Sequence, residues 1–75
     1  NKAYAIDSNN TQTLENLGVA YGIQGHFNQS LSYFLKALAQ NPTKKQLLNN
    51  ISQTYRLLGD TKMANQYLQQ AQQTP

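Results

Sequence analysis

The amino-acid sequence predicts an all-α protein built of tandem antiparallel helical hairpins stacked side by side. The first observation behind this prediction is that the chain resembles itself after a shift of 34 residues. The second is that apolar residues recur at spacings of three and four between glycine and proline punctuation, as in amphipathic helices. A fixed period of roughly 20–50 residues is typical of stacked repeats rather than of one irregular core. The residues that coincide are Gln12 with Gln46, Asn16 with Asn50, Tyr21 with Tyr55, Gly25 with Gly59, Tyr33 with Tyr67 and Ala37 with Ala71.

The first hairpin is predicted to hold helices at about 11–24 and 27–41. Gly25 ends the first of them, because glycine accepts the left-handed conformation found after many helices. Asn41 ends the second, since the residue before a proline is disfavoured in helical geometry. The apolar residues of the two helices are Leu14, Leu17 and Tyr21, then Leu31, Phe34, Leu35 and Leu38.

The second hairpin is predicted to hold helices at about 44–58 and 61–73. Thr43 and Gln46 fit the spacing of a capping box, in which a hydroxyl and an amide each bind a backbone N–H at the start of a helix. Asp60 is a good N-cap for the last helix. Short connections of two to four residues make successive helices antiparallel.

The first residues are predicted to be the end of a helix whose beginning is missing. At the same shift, Lys2-Ala3-Tyr4-Ala5 aligns with Lys36-Ala37-Leu38-Ala39. We therefore expect three units, namely the end of a truncated helix at 1–8, one hairpin at 9–42 and a second at 43–75, cut from a longer array.

Composition argues against several functional classes. Six basic and three acidic residues give a net charge of +3, and the basic residues are scattered rather than clustered as nucleic-acid binding requires. No apolar run approaches the ~18 residues of a membrane span. There is no cysteine, so the redox compartment stays open, and the location is open between the cytoplasm and a periplasmic or secreted site.

The residues that chemistry would need do not form a cluster in the sequence. His26 stands alone at a predicted helix start, and Asp7, Glu15 and Asp60 belong to different elements. A single histidine without a second ligand makes no metal site, and Gly18, Gly22 and Gly25 lack the preceding strand of a phosphate loop. We expect no catalytic residue, no metal and no cofactor.

The spacing of large and small residues resembles the tetratricopeptide repeat family. The first unit shows Leu14, Leu17-Gly18, Tyr21, Ser30, Phe34, Ala37 and Pro42, and the second shows Leu48, Ile51-Ser52, Tyr55, Ala64, Leu68 and Ala71. Leucine stands where the family usually has tryptophan, Ser30 replaces alanine, and Ser52 replaces glycine. The resemblance implies a right-handed superhelical solenoid in which the first helix of each unit lines a concave face.

On that face the resemblance places a set of mostly amide-bearing residues as the candidate peptide-binding site. They are Gln12, Glu15, Asn16, Val19, Ile23, Gln46, Asn49, Asn50, Gln53 and Arg56, with Gly22 and Leu57 beside them. Asn16 and Asn50 either form a ladder that grips a peptide backbone, as in some family members, or bond between helices. The carboxylate clamp of chaperone-binding members is not expected, because Glu15 and Val19 stand where that clamp uses lysine and asparagine.

The sequence therefore predicts a protein–protein interaction module that binds a peptide or a partner helix. Two alternatives stay open: a structural or self-assembly segment, and a regulatory appendage of an enzyme whose catalytic domain lies outside this chain. Asn65 and Gln72 replace Leu31 and Leu38 of the first unit, which predicts a terminal unit with a polar outer face. Leu14 and Leu17 are expected to form an uncovered apolar strip through which the chain self-associates.

Overall fold

A computed structural model describes residues 10–74, and they form four α-helices. The helices are α1 (Thr11–Ile23), α2 (Phe27–Gln40), α3 (Lys45–Leu57) and α4 (Thr61–Gln73). No strand is present in this part of the chain, so the prediction of an all-α fold is confirmed. The expected helix end at residues 1–8 lies outside the described residues.

The helices stack in the order of the sequence. Extensive contacts join α1 to α2, α2 to α3 and α3 to α4, which gives two hairpins side by side. The described residues span 42 × 30 × 14 Å along their principal axes. In the described residues this is the arrangement of a repeat stack, because a closed four-helix bundle would also pack α1 extensively against α4.

Both hairpins turn in the same way. Gly25 and Gly59 have φ angles of 85° and 88°, the left-handed conformation that glycine adopts without a steric penalty. The residue after each glycine forms a backbone hydrogen bond to the preceding helix. The His26 N–H donates to the Tyr21 carbonyl and the Asp60 N–H to the Tyr55 carbonyl, each at 2.9 Å. This is the Schellman pattern of helix termination, and it reproduces the 34-residue period in the backbone.

Side chains cap two of the four helices. The Asp60 carboxylate accepts from the Met63 N–H at 3.1 Å, as predicted. Asn10 does the same for α1, accepting from the Thr13 N–H at 2.7 Å, and sequence reasoning missed it. His26 occupies the N-cap position of α2 without a side-chain hydrogen bond there. Its ring instead meets the Tyr21 ring edge-on, with centroids 6.2 Å apart.

The predicted capping box at Thr43 and Gln46 is wrong. Helix α3 begins one residue later than expected, at Lys45, and its N-cap is Lys44, which makes no side-chain cap hydrogen bond. Thr43 lies in the turn after Asn41, which the Lys44 N–H closes by donating to the Asn41 carbonyl at 3.3 Å. The side chain of Lys44 points away to an acidic partner on α1.

Small residues lie where the helices of each hairpin cross. Ser30 and Ser52 are buried, and so are the alanines at positions 37, 64 and 71. In the first hairpin the Ser30 hydroxyl on α2 donates to the Gly18 carbonyl on α1 at 2.6 Å. In the second, the hydroxyl belongs to the other helix: Ser52 on α3 donates to the Ala64 carbonyl on α4, also at 2.6 Å. Each crossing thus carries one serine hydrogen bond, supplied from opposite sides.

The apolar core joins the first three helices. Its buried members are Leu14, Phe34, Ala37, Leu47 and Ile51. Leu14 is 6% exposed, so the prediction that it forms part of an uncovered strip is wrong. The physical reason is that Leu14 packs into this cluster with residues of α2 and α3. Leu17, at 37% exposure, is the part of the expected strip that stays accessible.

A stacked tyrosine pair joins the two helices of each hairpin. Tyr21 and Tyr33 lie 5.4 Å apart at an interplanar angle of 5°, and Tyr55 and Tyr67 lie 5.6 Å apart at 16°. Both pairs span the two helices of one hairpin, in the offset geometry that aromatic pairs favour. Burial raises the pKa of the Tyr55 phenol, and the neighbouring Tyr67 and Asp60 shift it in the same direction.

The two hairpins differ on the outer face of their second helix. Leu31 and Leu38 of α2 are half-buried and pack against the core, whereas Asn65 and Gln72 of α4 are exposed. This polar face of α4 is what a terminal repeat would present to water. Among the described residues, no helix has the length and apolar character needed to cross a bilayer.

We predict that Gly18→Ala destabilises the fold more than Gly22→Ala does. A Cβ on Gly18 would lie 2.6 Å from Cε1 of Phe34, which is 3% exposed and has little room to move. Overpacking of this kind typically costs about 1–3 kcal/mol. At Gly22 the nearest atom is the Ser30 Oγ at 3.3 Å, and alanine favours a helix by about 1 kcal/mol relative to glycine. Urea unfolding followed by circular dichroism measures both; equal stability of the two variants would contradict the close approach.

We also predict that stability falls at alkaline pH in part through Tyr55. Because the folded-state pKa is raised above the ordinary 10.0, the unfolded chain ionises first as pH rises. The stabilisation that the neutral Tyr55 phenol contributes to the fold is therefore fully present below about pH 10. It is lost as the pH rises through the folded-state pKa of Tyr55. Urea unfolding measures the free energy of unfolding at pH 9 and at pH 11. The decrease between the two pH values should be smaller for Tyr55→Phe than for the unmodified chain. An unchanged difference would exclude this role.

Candidate functional site

A groove runs between α1 and α3, with α2 beneath it. Its volume is about 250 Å³. The lining residues are Gly18, Val19, Gly22 and Ile23 of α1, Phe27, Ser30 and Phe34 of α2, and Asn50, Gln53, Thr54 and Leu57 of α3. The two first helices of the hairpins therefore form its walls, and the second helix of the first hairpin forms its floor.

The walls of the groove expose most of the large apolar side chains on the described surface. Ile23 is 83% exposed, Leu57 56% and Val19 42%, and the remaining two exposed large apolar residues, Leu17 and Leu58, lie outside the lining. Scattered exposed apolar residues are normal on a soluble protein. Three of them line one concavity, which makes it the candidate binding surface.

The polar side chains of the lining are mostly engaged within the protein. The Ser30 hydroxyl donates to the Gly18 carbonyl, and the Thr54 hydroxyl donates to the Asn50 carbonyl at 2.8 Å. Asn50 Nδ2 donates to Glu15 at 3.2 Å. Gln53 is exposed and makes no hydrogen bond to another described side chain. The floor and walls thus offer apolar surface with one amide, Gln53, that has no partner among the described side chains, rather than a continuous row of unpaired amides.

A buried carboxylate ties the two hairpins together beside the groove. Glu15 of α1 is 3% exposed. Its Oε1 accepts from Lys44 Nζ at 2.5 Å and its Oε2 accepts from Asn50 Nδ2 at 3.2 Å. Lys44 precedes α3 and Asn50 lies within it, so both oxygens of one α1 side chain hold the first turns of the next hairpin. A charge out of water is stable only when paired and hydrogen-bonded in this way.

The structure divides the predicted site residues into three groups. Val19, Ile23, Asn50 and Gln53 line the groove. Gln12, Asn16, Gln46, Asn49 and Arg56 are exposed outside its lining. Glu15 is buried in the inter-hairpin network and presents no free carboxylate.

The two asparagines of the possible ladder have different surroundings. Asn50 donates to Glu15 across the hairpins, while Asn16 accepts from Gln12 Nε2 at 3.0 Å on its own helix. Although they coincide in the repeat, they do not present equivalent amides to a ligand. The geometry of Asn50 is that of the alternative interpretation, in which the asparagine bonds between helices.

Sequence reasoning missed five lining residues. Three of them, Gly18, Ser30 and Phe34, were predicted only as members of the repeat pattern, and the other two are Phe27 and Thr54. Phe27 is the first residue of α2 and follows directly on the turn at Gly25, which places it beside the end of α1. Its position after a helix-ending glycine could have signalled this. Thr54 carried no signal, because a threonine within a helix reads equally well as a surface residue.

The ionisable groups near the groove can be stated for the described residues. Within residues 10–74 no group of three or more histidine, cysteine or carboxylate side chains could hold a metal ion. The single acid near the groove, Glu15, is paired and buried. What the groove offers is apolar surface and the exposed amide of Gln53.

We predict that Lys44→Met destabilises the fold more than Lys45→Met. Removing Lys44 leaves the Glu15 carboxylate with 5% side-chain exposure and without its cation, whereas Lys45 is exposed and no described residue pairs with it. Because the Lys44 side chain is itself 25% exposed, we expect about 1–2 kcal/mol rather than the 3–5 kcal/mol of a fully buried pair.

Chemical denaturation of Lys44→Met, Glu15→Gln and the double variant measures this coupling. If the two residues are coupled, the double variant loses less free energy of unfolding than the two single variants lose together. A loss equal to or larger than that sum, or equal loss from Lys44→Met and Lys45→Met, would contradict the network.

Comparison with known proteins agrees with this architecture. The sequence model of the tetratricopeptide repeat family matches residues 11–74, which span all four helices. No curated protein shows significant sequence similarity to the chain. The family match covers the two hairpins, the small residues at their crossings and the groove between their first helices. The chain belongs to the tetratricopeptide repeat family.

Proposed function

We propose that this chain is a protein–protein interaction module that binds a short segment of a partner in the groove between α1 and α3. Members of the tetratricopeptide repeat family generally mediate protein–protein interactions. The observation that carries the proposal is the convergence of Val19, Ile23 and Leu57, all exposed, on one concavity of about 250 Å³.

Contacts within the chain fix the walls and floor of the groove in the absence of a partner. Glu15, Lys44 and Asn50 join its two walls, and the buried ring of Phe34 lies beneath it. A site whose walls are already fixed loses little conformational entropy on binding, so more of the contact free energy appears as affinity. A small preformed apolar site suits a short linear segment.

A structural or self-assembly role is the second candidate, and Leu17 is the observation that favours it. This leucine is 37% exposed and lies on α1 outside the groove. Self-association through it would make the apparent mass depend on protein concentration. Sedimentation of the unmodified chain and of Leu17→Ser at several protein concentrations distinguishes the two roles. Self-association predicts an apparent mass that rises with concentration and rises less for Leu17→Ser, whereas groove binding predicts no such rise.

We predict that peptides selected from a displayed library of random 16-residue sequences bind the groove. The chain serves as bait, and synthetic versions of the selected peptides are titrated into labelled protein while amide chemical shifts are recorded. We expect the largest shifts at Val19, Ile23, Gln53 and Leu57, because these residues line the walls.

Two substitutions sharpen this test. Ile23→Ser should weaken binding roughly ten-fold without unfolding the protein, because Ile23 is 83% exposed and a buried isoleucine is worth about 1.5–3 kcal/mol. Gln69→Ala on α4, which lies outside the lining, is the matched control. Failure to select any peptide, or shifts confined to α4, would refute the proposed function.

A further inference from the structure

We propose that the groove selects a segment that carries a bulky aliphatic side chain next to a carboxylate, with the aliphatic group between α1 and α3 and the carboxylate on Arg56. This inference rests on the proposed function and specifies the chemistry of the partner. It follows from three features of the site: its volume, the engagement of its polar groups and the distribution of charge around it.

The volume fits side chains rather than a small-molecule ligand. Small-molecule sites usually have volumes of about 300–1,000 Å³ and enclose most of the ligand. This groove is smaller, about 250 Å³, and lies open between two helices. Its lining of Val19, Ile23, Phe27 and Leu57 matches one or two aliphatic side chains of a peptide.

The polar groups of the lining leave little to hold a peptide backbone. The hydroxyl protons of Ser30 and Thr54 and the Nδ2 group of Asn50 already have acceptors within the protein. Gln53 is the lining amide with no partner among the described residues. Affinity therefore depends on burying an apolar side chain, and direction and register need a further polar contact at the rim.

Arg56 supplies that contact. It lies on α3 three residues after the lining residue Gln53, a spacing that makes the two side chains neighbours on the helix surface. Its side chain is exposed, and no carboxylate among residues 10–74 pairs with it. A guanidinium forms a two-pronged hydrogen-bonded pair with a carboxylate.

The surrounding charges favour an acidic partner and disfavour a basic one. Both carboxylates of the described chain are engaged: Glu15 with Lys44 inside the protein, and Asp60 as the cap of α4. A basic side chain near Leu57 would be repelled by Arg56, which has no paired carboxylate among the described residues. Charge complementarity thus favours a negative charge on the partner, while the groove favours an aliphatic side chain beside it.

The experiment compares peptides selected on the parent chain with peptides selected on Arg56→Glu. On the parent chain we expect aspartate or glutamate to be enriched near an aliphatic residue. On the variant we expect lysine or arginine at that place. Fluorescence anisotropy of one acidic peptide should show roughly three-fold weaker binding to Arg56→Gln and roughly ten-fold weaker binding to Arg56→Glu at low salt.

Matched variants separate a specific pair from a general charge effect. Lys62→Glu makes the same change in net charge at the start of α4, and it should leave the affinity within two-fold. Gln69→Ala on α4, outside the lining, should also leave the affinity unchanged. Circular dichroism of Arg56→Gln and Arg56→Glu checks that both are folded.

The outcomes distinguish the two levels of proposal. Peptides that bind in the groove with no acidic preference, or that bind Arg56→Glu as tightly as the parent chain, overturn this inference and leave the proposed function standing. Equal weakening by Lys62→Glu overturns it as well, because the attraction would then be non-specific. Failure to select any groove-binding peptide overturns both.

Discussion

The close approach of two helix backbones at Gly18 is the constraint on which the rest of the structure depends. With no Cβ there, the ring of Phe34 lies against α1, and the Ser30 hydroxyl reaches the Gly18 carbonyl at 2.6 Å. The crossing sets how the first hairpin presents Ile23 and Phe27 around its turn. Because Phe34 also belongs to the core with Leu47 and Ile51, the same contact orients the first hairpin against the second.

The second hairpin is then held in place by a polar tie. Glu15 joins α1 to the segment around the start of α3, through Lys44 and Asn50, on the side of the groove. Apolar packing between α2 and α3 is adaptable, since aliphatic surfaces tolerate small sliding movements. A carboxylate with a partner on each oxygen is directional. The separation of the groove walls is therefore determined by hydrogen-bond geometry as much as by the core.

Much of the fold could be predicted from sequence, because its determinants are local and occur twice. The glycines at 25 and 59, the cap at Asp60 and the small residues at the crossings each act within a hairpin, and their repetition makes them visible. The prediction at Thr43 failed because a competing partner for Lys44 lies 29 residues away in the sequence. The candidate site was predicted less well for the same reason: the repeat indicates which residues face inward, but not which of their polar groups are already engaged.

The exchange of serine between the two crossings has a consequence for how such repeats diverge. At one crossing the pair is Gly18 with Ser30, and at the equivalent one it is Ser52 with Ala64. What the fold requires is the combined volume of the two positions and one hydroxyl between them, whichever helix provides it. Substitutions at the two positions are therefore epistatic, since a larger residue on one helix is tolerated only with a smaller one opposite. Each of the two crossing positions, compared alone among relatives, would therefore vary. The combined volume of the two facing side chains would be conserved, because packing constrains the pair.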